Sequence, residues 1–232
     1  MATSVVSRHA VRRWGAGTAA IARLLVAADA PLTGVALAEA VGVSQPRASQ
    51  VLKQLTAHAA VRASESGYVG RPARLLDLYR RRARPLLIQP ESYWYSTRPA
   101  AEQARRIVEF ANDRRRPIAF SADLAPDLLV PWRHPTLTVI YTIESLLLDA
   151  AGFVPAAGRA DASMIVRWTS DATLLSPAPR WPREVDGIPV TDPVQQWWDL
   201  LDLGGEDRAE AADRLRRAIL DRGLRASVPT QP

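Results

Sequence analysis

The chain has 232 residues, which is enough for one large domain or two small ones. Hydrophobic residues make up 47% of it and charged residues 23%, values typical of a soluble globular protein. There is no uncharged apolar run of about 18 residues and no pattern of a secretory signal. Because the chain contains no cysteine, disulfides and thiolate metal sites are excluded. These features predict a cytoplasmic protein with no membrane partner.

The charge is distributed unevenly. Residues 1–90 contain 13 basic and four acidic residues, whereas the remainder contains 17 basic and 20 acidic residues. Such asymmetry is typical of a nucleic-acid-binding module joined to a module with another task. The alternative is a solvated basic surface that binds nothing.

The first third of the chain predicts helices, a hairpin and another helix. Apolar residues at helical spacing indicate helices over 18–28 and 33–41, and a third helix is expected to begin at Ser44. The stretch VRASESGYVGR at 61–71 is predicted to form two short strands around a turn, followed by a helix over 74–84.

The sequence after residue 84 predicts a linker and then a domain that contains both helices and strands. Residues 85–98 are interrupted by prolines and are expected to be a linker. The later elements are predicted as a helix at 100–112, a strand at 137–143, a helix at 145–151, a strand at 163–168, and helices at 193–203 and 206–222. The expected fold class is therefore α+β, with a winged helix-turn-helix domain at 1–84, the linker, and an α+β domain at 99–225.

The segment from 37 to 46 has the pattern of a helix-turn-helix. Ala38 is small enough for two helices to cross closely, and Gly42 can adopt the positive φ of a tight turn. Val43 can fill the space under the turn. Ser44 is expected to cap the third helix, in whose first turn Pro46 loses no hydrogen bond.

The third helix has an apolar face and a polar face. Ala48, Val51, Leu52 and Leu55 are expected to pack inward. The opposite face has no carboxylate, so it suits a helix in a DNA major groove, where Gln can bond adenine and Arg can bond guanine. The strand residues and the next helix would add donors that hold phosphates. The predicted DNA-binding residues are Ser44, Gln45, Pro46, Arg47, Ser49, Gln50, Lys53, Arg62, Tyr68, Arg71 and Arg74. A helical hairpin without a ligand is the structural alternative.

Two resemblances refine this prediction. Residues 17–75 resemble the winged helix-turn-helix class of bacterial regulators. The strings at 133–142 (RHPTLTVIYT), 157–168 (AGRADASMIVRW) and 189–220 look like the C-terminal region of AbiEi-type antitoxins. That resemblance implies a repressor that regulates its own operon and counters a nucleotidyltransferase-like toxin without binding the toxin directly.

No enzyme, cofactor or metal site is predicted. The three histidines are scattered, and Pro126 favours a loop where Asp123 and Asp127 could otherwise share a helical face.

The expected partner is double-stranded DNA with an inverted repeat that binds two copies of the chain. One alternative is a regulator whose second domain senses a small molecule, with tryptophans 132, 168, 181, 197 and 198 available to line a pocket. Another is a protein-interaction adaptor with a vestigial winged helix.

Overall fold

A computed structural model describes residues 13–84, 87, 90–132 and 134–224. In this part of the chain the α-helices are α1 (Ala16–Ala27), α2 (Gly34–Val41), α3 (Gln45–Ala57), α4 (Pro72–Arg82), α5 (Ala100–Asp113), α6 (Leu124–Leu129), α7 (Pro193–Leu203) and α8 (Glu206–Leu220). The strands are β1 (Val61–Ser64), β2 (Gly67–Gly70), β3 (Ser92–Tyr95), β4 (Ile118–Phe120), β5 (Thr138–Thr142), β6 (Val154–Pro155), β7 (Met164–Trp168), β8 (Glu184–Val185) and β9 (Ile188–Pro189). The α+β fold class is confirmed.

The N-terminal part consists of helices α1 to α4 and the antiparallel hairpin β1–β2. Helix α1 packs against α2, α3 and α4. Its apolar residues are buried because Ile21 and Leu25 face the inner side chains of α3, among them Val51 and Leu55. The hairpin is attached to this helical layer through a bridge between Leu32 and Tyr68.

The central element is a five-stranded sheet in the order β4-β5-β7-β3-β6. Strands β5 and β7 run parallel and the other neighbouring pairs are antiparallel. Side chains alternate across the sheet, so Ile140 and Val166 join the core under α5, whereas Val139 and Ile165 face the opposite core. Every residue of β5 is buried, as expected of a strand covered on both faces.

Helices α7 and α8 join the two parts of the molecule. Trp197 and Trp198 of α7 and Leu215 of α8 belong to the same buried cluster as Leu25 and Leu75 of the N-terminal helices. The tryptophan pair is thus core, and α7 and α8 share the hydrophobic interior of the N-terminal helices. No helix within the described ranges is both long and apolar enough to cross a bilayer.

The structure contradicts the expected conformation of three segments. Residues 92–95, within the expected linker, form strand β3, whose Trp94 is buried against the sheet; residues 85, 86, 88 and 89 of that linker lie outside the described residues. The helix expected at 145–151 is wrong, because only Asp149–Ala151 form a short 3₁₀ turn. Leu146 and Leu148 are buried and Leu147 is exposed, which is the alternation of an extended chain. The loop expected around Pro126 is helix α6, because Pro126 lies in its first turn and needs no donor there.

Candidate nucleic-acid interface

The connection between α2 and α3 has the tight geometry that its residues predict. Gly42 has φ +72°, in the left-handed region. The Val43 N–H donates to the Ala38 carbonyl at 3.0 Å, which closes the end of α2. At the start of the same helix, the Thr33 hydroxyl accepts from the Ala36 N–H at 3.1 Å, so Thr33 is its N-cap. Both ends of α2 are therefore fixed by local hydrogen bonds.

Helix α3 has a buried face and an exposed face. Ala48, Val51, Leu52 and Leu55 are buried. The predicted DNA-binding residues on the other side are exposed, namely Ser44, Gln45, Pro46, Ser49, Gln50 and Lys53. Ser44 occupies the N-cap position of α3 as expected, but its side chain makes no capping hydrogen bond. Helix α3 contains no acidic residue, and its exposed face offers amide, hydroxyl and ammonium groups.

Arg47 is less free than the sequence suggests. It is half-buried at the flank of α3, and its guanidinium donates to Gln50 Oε1 at 2.8 Å and to Thr18 Oγ1 at 3.1 Å. The Gln50 amide oxygen is already used as an acceptor, while its NH₂ group remains a donor. Because Gln50 Oε1 can accept a second hydrogen bond, a bidentate contact from Gln50 to a base is compatible with the Arg47–Gln50 hydrogen bond.

The hairpin β1–β2 lies beside the helices and is fixed to the segment between α1 and α2. Leu32 and Tyr68 exchange backbone hydrogen bonds of 3.0 and 2.8 Å. Gly67 has φ +136°, and a Cβ there would lie 2.6 Å from the Leu32 carbonyl oxygen, so the close approach requires glycine. Arg62 is exposed on β1. Tyr68, which was predicted to contact DNA, is only half-exposed and packs against the helical core. Part of its side chain therefore stabilises the fold.

The remaining predicted residues lie where the hairpin meets α4. Arg71 is exposed at the N-cap of α4, and its backbone N–H donates to the Ala60 carbonyl at 2.8 Å. Arg74 is exposed in the first turn of α4. Within the described ranges, Lys53, Arg62, Arg71 and Arg74 form no ion pair, so their charges are available to an anionic partner.

A buried polar network lies behind this surface, and sequence reasoning missed it. Arg23 of α1 is 4% exposed and forms ion pairs with Asp171 at 2.9 Å and Asp192 at 2.7 Å. It also donates to the Tyr79 hydroxyl of α4 at 2.9 Å. Burial raises the pKa of Asp192, and the charge of Arg23 opposes that rise. The only sequence signal is a charged residue inside the apolar run of α1.

The network continues into the sheet through Gln195 of α7. The Tyr79 hydroxyl donates to Gln195 Oε1 at 2.7 Å, and Gln195 Nε2 donates to Asp199 Oδ1 at 3.0 Å. Asp199 pairs with Arg167 of β7 at 2.5 Å and accepts from the Tyr141 hydroxyl at 2.9 Å. Burial raises the pKa of Asp199, opposed by Arg167. A chain of buried hydrogen bonds therefore links α1 and α4 to the central sheet.

The comparisons with known proteins are negative. No family model matches the chain, and no curated protein or solved structure gives a significant match. In residues 13–84, 87, 90–132 and 134–224, His, Asp and Glu side chains form no cluster of three that could hold a metal ion.

Proposed function

We propose that the chain is a cytoplasmic transcriptional repressor that binds double-stranded DNA in a sequence-specific way. In this proposal, α1 to α4 and the hairpin β1–β2 form a winged helix-turn-helix domain. The observation that carries the proposal is the exposed face of α3. It follows a tight turn, has polar and basic side chains, and lacks any carboxylate. An exposed surface of that composition suits the donor and acceptor pattern of a major groove.

In this proposal each part of the surface has a separate task. The N-terminal half of α3 enters the major groove, where Ser49 and Gln50 contact base edges. Lys53, Arg62 and Arg71 neutralise phosphates and fix the orientation of the domain without reading sequence. Two copies bind an inverted repeat, because one domain reads only a few base pairs.

The test is fluorescence anisotropy of the full chain on its own upstream promoter and on scrambled DNA, across a salt series. Promoter affinity should exceed that for scrambled DNA and fall steeply with salt. Gln50→Ala should cost about 1–3 kcal/mol on the promoter and little on scrambled DNA. Gln54→Ala is the matched control, since Gln54 is also exposed on α3 but lies one turn nearer its C-terminal end. Equal or absent binding to both DNAs would overturn the proposal and favour the adaptor.

We further propose, from the resemblance of the C-terminal strings, that the repressor is an AbiEi-like antitoxin of a nucleotidyltransferase-like toxin. Its test is separate from DNA binding. The product of a neighbouring nucleotidyltransferase-like gene should inhibit growth when it is expressed alone. Co-expression of the chain should restore growth, and the Gln50→Ala variant of the chain should restore it equally. A lack of rescue would overturn the antitoxin role and leave the repressor role unaffected.

A further inference from the structure

A cavity of about 180 Å³ lies between the N-terminal helices and the segment 173–183. Ala20 and Leu24 of α1 and Val41 of α2 form one wall, and Pro177 and Trp181 belong to the opposite wall. Its volume is slightly above that of an apolar cavity of about 150 Å³ that accommodates benzene. A molecule built on one ring or one branched chain fits this space.

The polar groups of the cavity fall into two kinds. Arg23 and Asp192 line it, but they are bonded to each other at 2.7 Å, and Asp192 also accepts from the Val194 N–H at 3.0 Å. Arg183 is exposed and forms no ion pair with any described residue. Arg183 is therefore a charged group at this cavity whose charge no described residue neutralises.

We propose that this cavity binds a small organic carboxylate with a single-ring or branched apolar body. The apolar walls take the body of the ligand and Arg183 pairs with its carboxylate. Val41 is the last residue of α2, so a bound ligand contacts the helix that precedes the α2–α3 turn.

The proposal is tested by isothermal titration of the full chain with benzoate and with benzamide, its neutral analogue of similar shape. Benzoate should bind saturably with a Kd of about 1 mM or lower, a reasonable affinity for a ligand of this size. Benzamide should bind about tenfold more weakly because it cannot pair with Arg183. Arg183→Gln should reduce the benzoate affinity about tenfold and leave benzamide unchanged.

Two further variants separate binding in the cavity from binding elsewhere. Ala40→Leu adds apolar volume at an exposed position that lines the cavity and should weaken both probes. Arg105→Gln changes an exposed arginine of α5 that is remote in sequence from the cavity residues, and it should change neither affinity. Absence of saturable benzoate binding at about 10 mM would overturn the proposal. Equal affinities for benzoate and benzamide, or benzoate binding unaffected by both Arg183→Gln and Ala40→Leu, would also overturn it.

Discussion

Replacing Arg23 with Met keeps an unbranched side chain in α1 but removes the guanidinium that pairs with Asp171 and Asp192. Both carboxylates are buried, at 7% and 2% exposure. Removing one partner of a buried ion pair costs about 3–5 kcal/mol, because the other partner keeps an uncompensated charge. Domains are stable by about 5–15 kcal/mol in total, so Arg23→Met should remove a large share of the free energy of unfolding.

The loss should depend on pH, and its sign follows from Asp192. Burial already raises the pKa of Asp192 in the folded chain while Arg23 opposes the rise, so the variant should raise it further. A carboxyl whose folded pKa is above its unfolded value penalises folding as pH rises through that interval, and the penalty vanishes at pH below the unfolded value. The destabilisation should therefore be largest at about pH 8 and smaller at about pH 5.

Urea unfolding followed by tryptophan fluorescence at both pH values measures the effect. Arg217→Met is the matched control, since Arg217 is exposed on α8 and should change the free energy of unfolding by less than about 0.5 kcal/mol. Adding Asp192→Asn to Arg23→Met should restore part of the loss, because it removes one of the unpaired charges. A loss below about 1 kcal/mol, or an equal loss at both pH values, would refute the reasoning.

Three other predictions concern the N-terminal part. Thr33→Ala should destabilise the chain by about 1 kcal/mol because it removes a capping hydrogen bond, whereas Ser44→Ala should leave the melting temperature nearly unchanged because Ser44 makes no such bond. Gly42→Ala should cost about 1–2 kcal/mol, since alanine is strained at φ +72°; a melting temperature equal to that of the wild type would contradict this. Arg71→Gln should lower the slope of log affinity for DNA against log salt by about one, and Arg105→Gln should leave it unchanged; identical slopes for the two variants would show that Arg71 holds no phosphate.

The elements that the sequence predicts well are those with local determinants. Helix α2 begins after Thr33 and ends at Gly42, and both boundaries depend on hydrogen bonds within a few residues. The face of α3 that is buried follows from its apolar spacing alone. Strand β3 was missed because prolines around it indicate a linker, whereas its pairing with β7, about 70 residues away, decides its conformation.

The polar interior could not be predicted because its partners are distant in sequence. Arg23 pairs with residues 148 and 169 positions away, and nothing near it in the chain indicates either partner. Arg167 stands inside the apolar strand β7, which signals a buried charge but not that Asp199 neutralises it. The cavity beside Arg23 is equally hidden, since α1, α2 and the segment 173–183 meet only in the folded chain.

Helix α7 explains how helices α1 and α4 and the sheet keep one relative orientation. Asp192 at its N-cap and Gln195 and Asp199 along it lie at the spacing of one helical face. Asp192 pairs with Arg23 of α1, Gln195 bonds Tyr79 of α4, and Asp199 pairs with the sheet. Apolar contacts allow packed helices to slide past one another, whereas these hydrogen bonds form only when the donor–acceptor distance stays within a few tenths of an ångström of its optimum. A buried ion pair adds little net stability over an apolar pair of similar shape. Asp192, Gln195 and Asp199 therefore fix the position of helices α1 and α4 relative to the sheet.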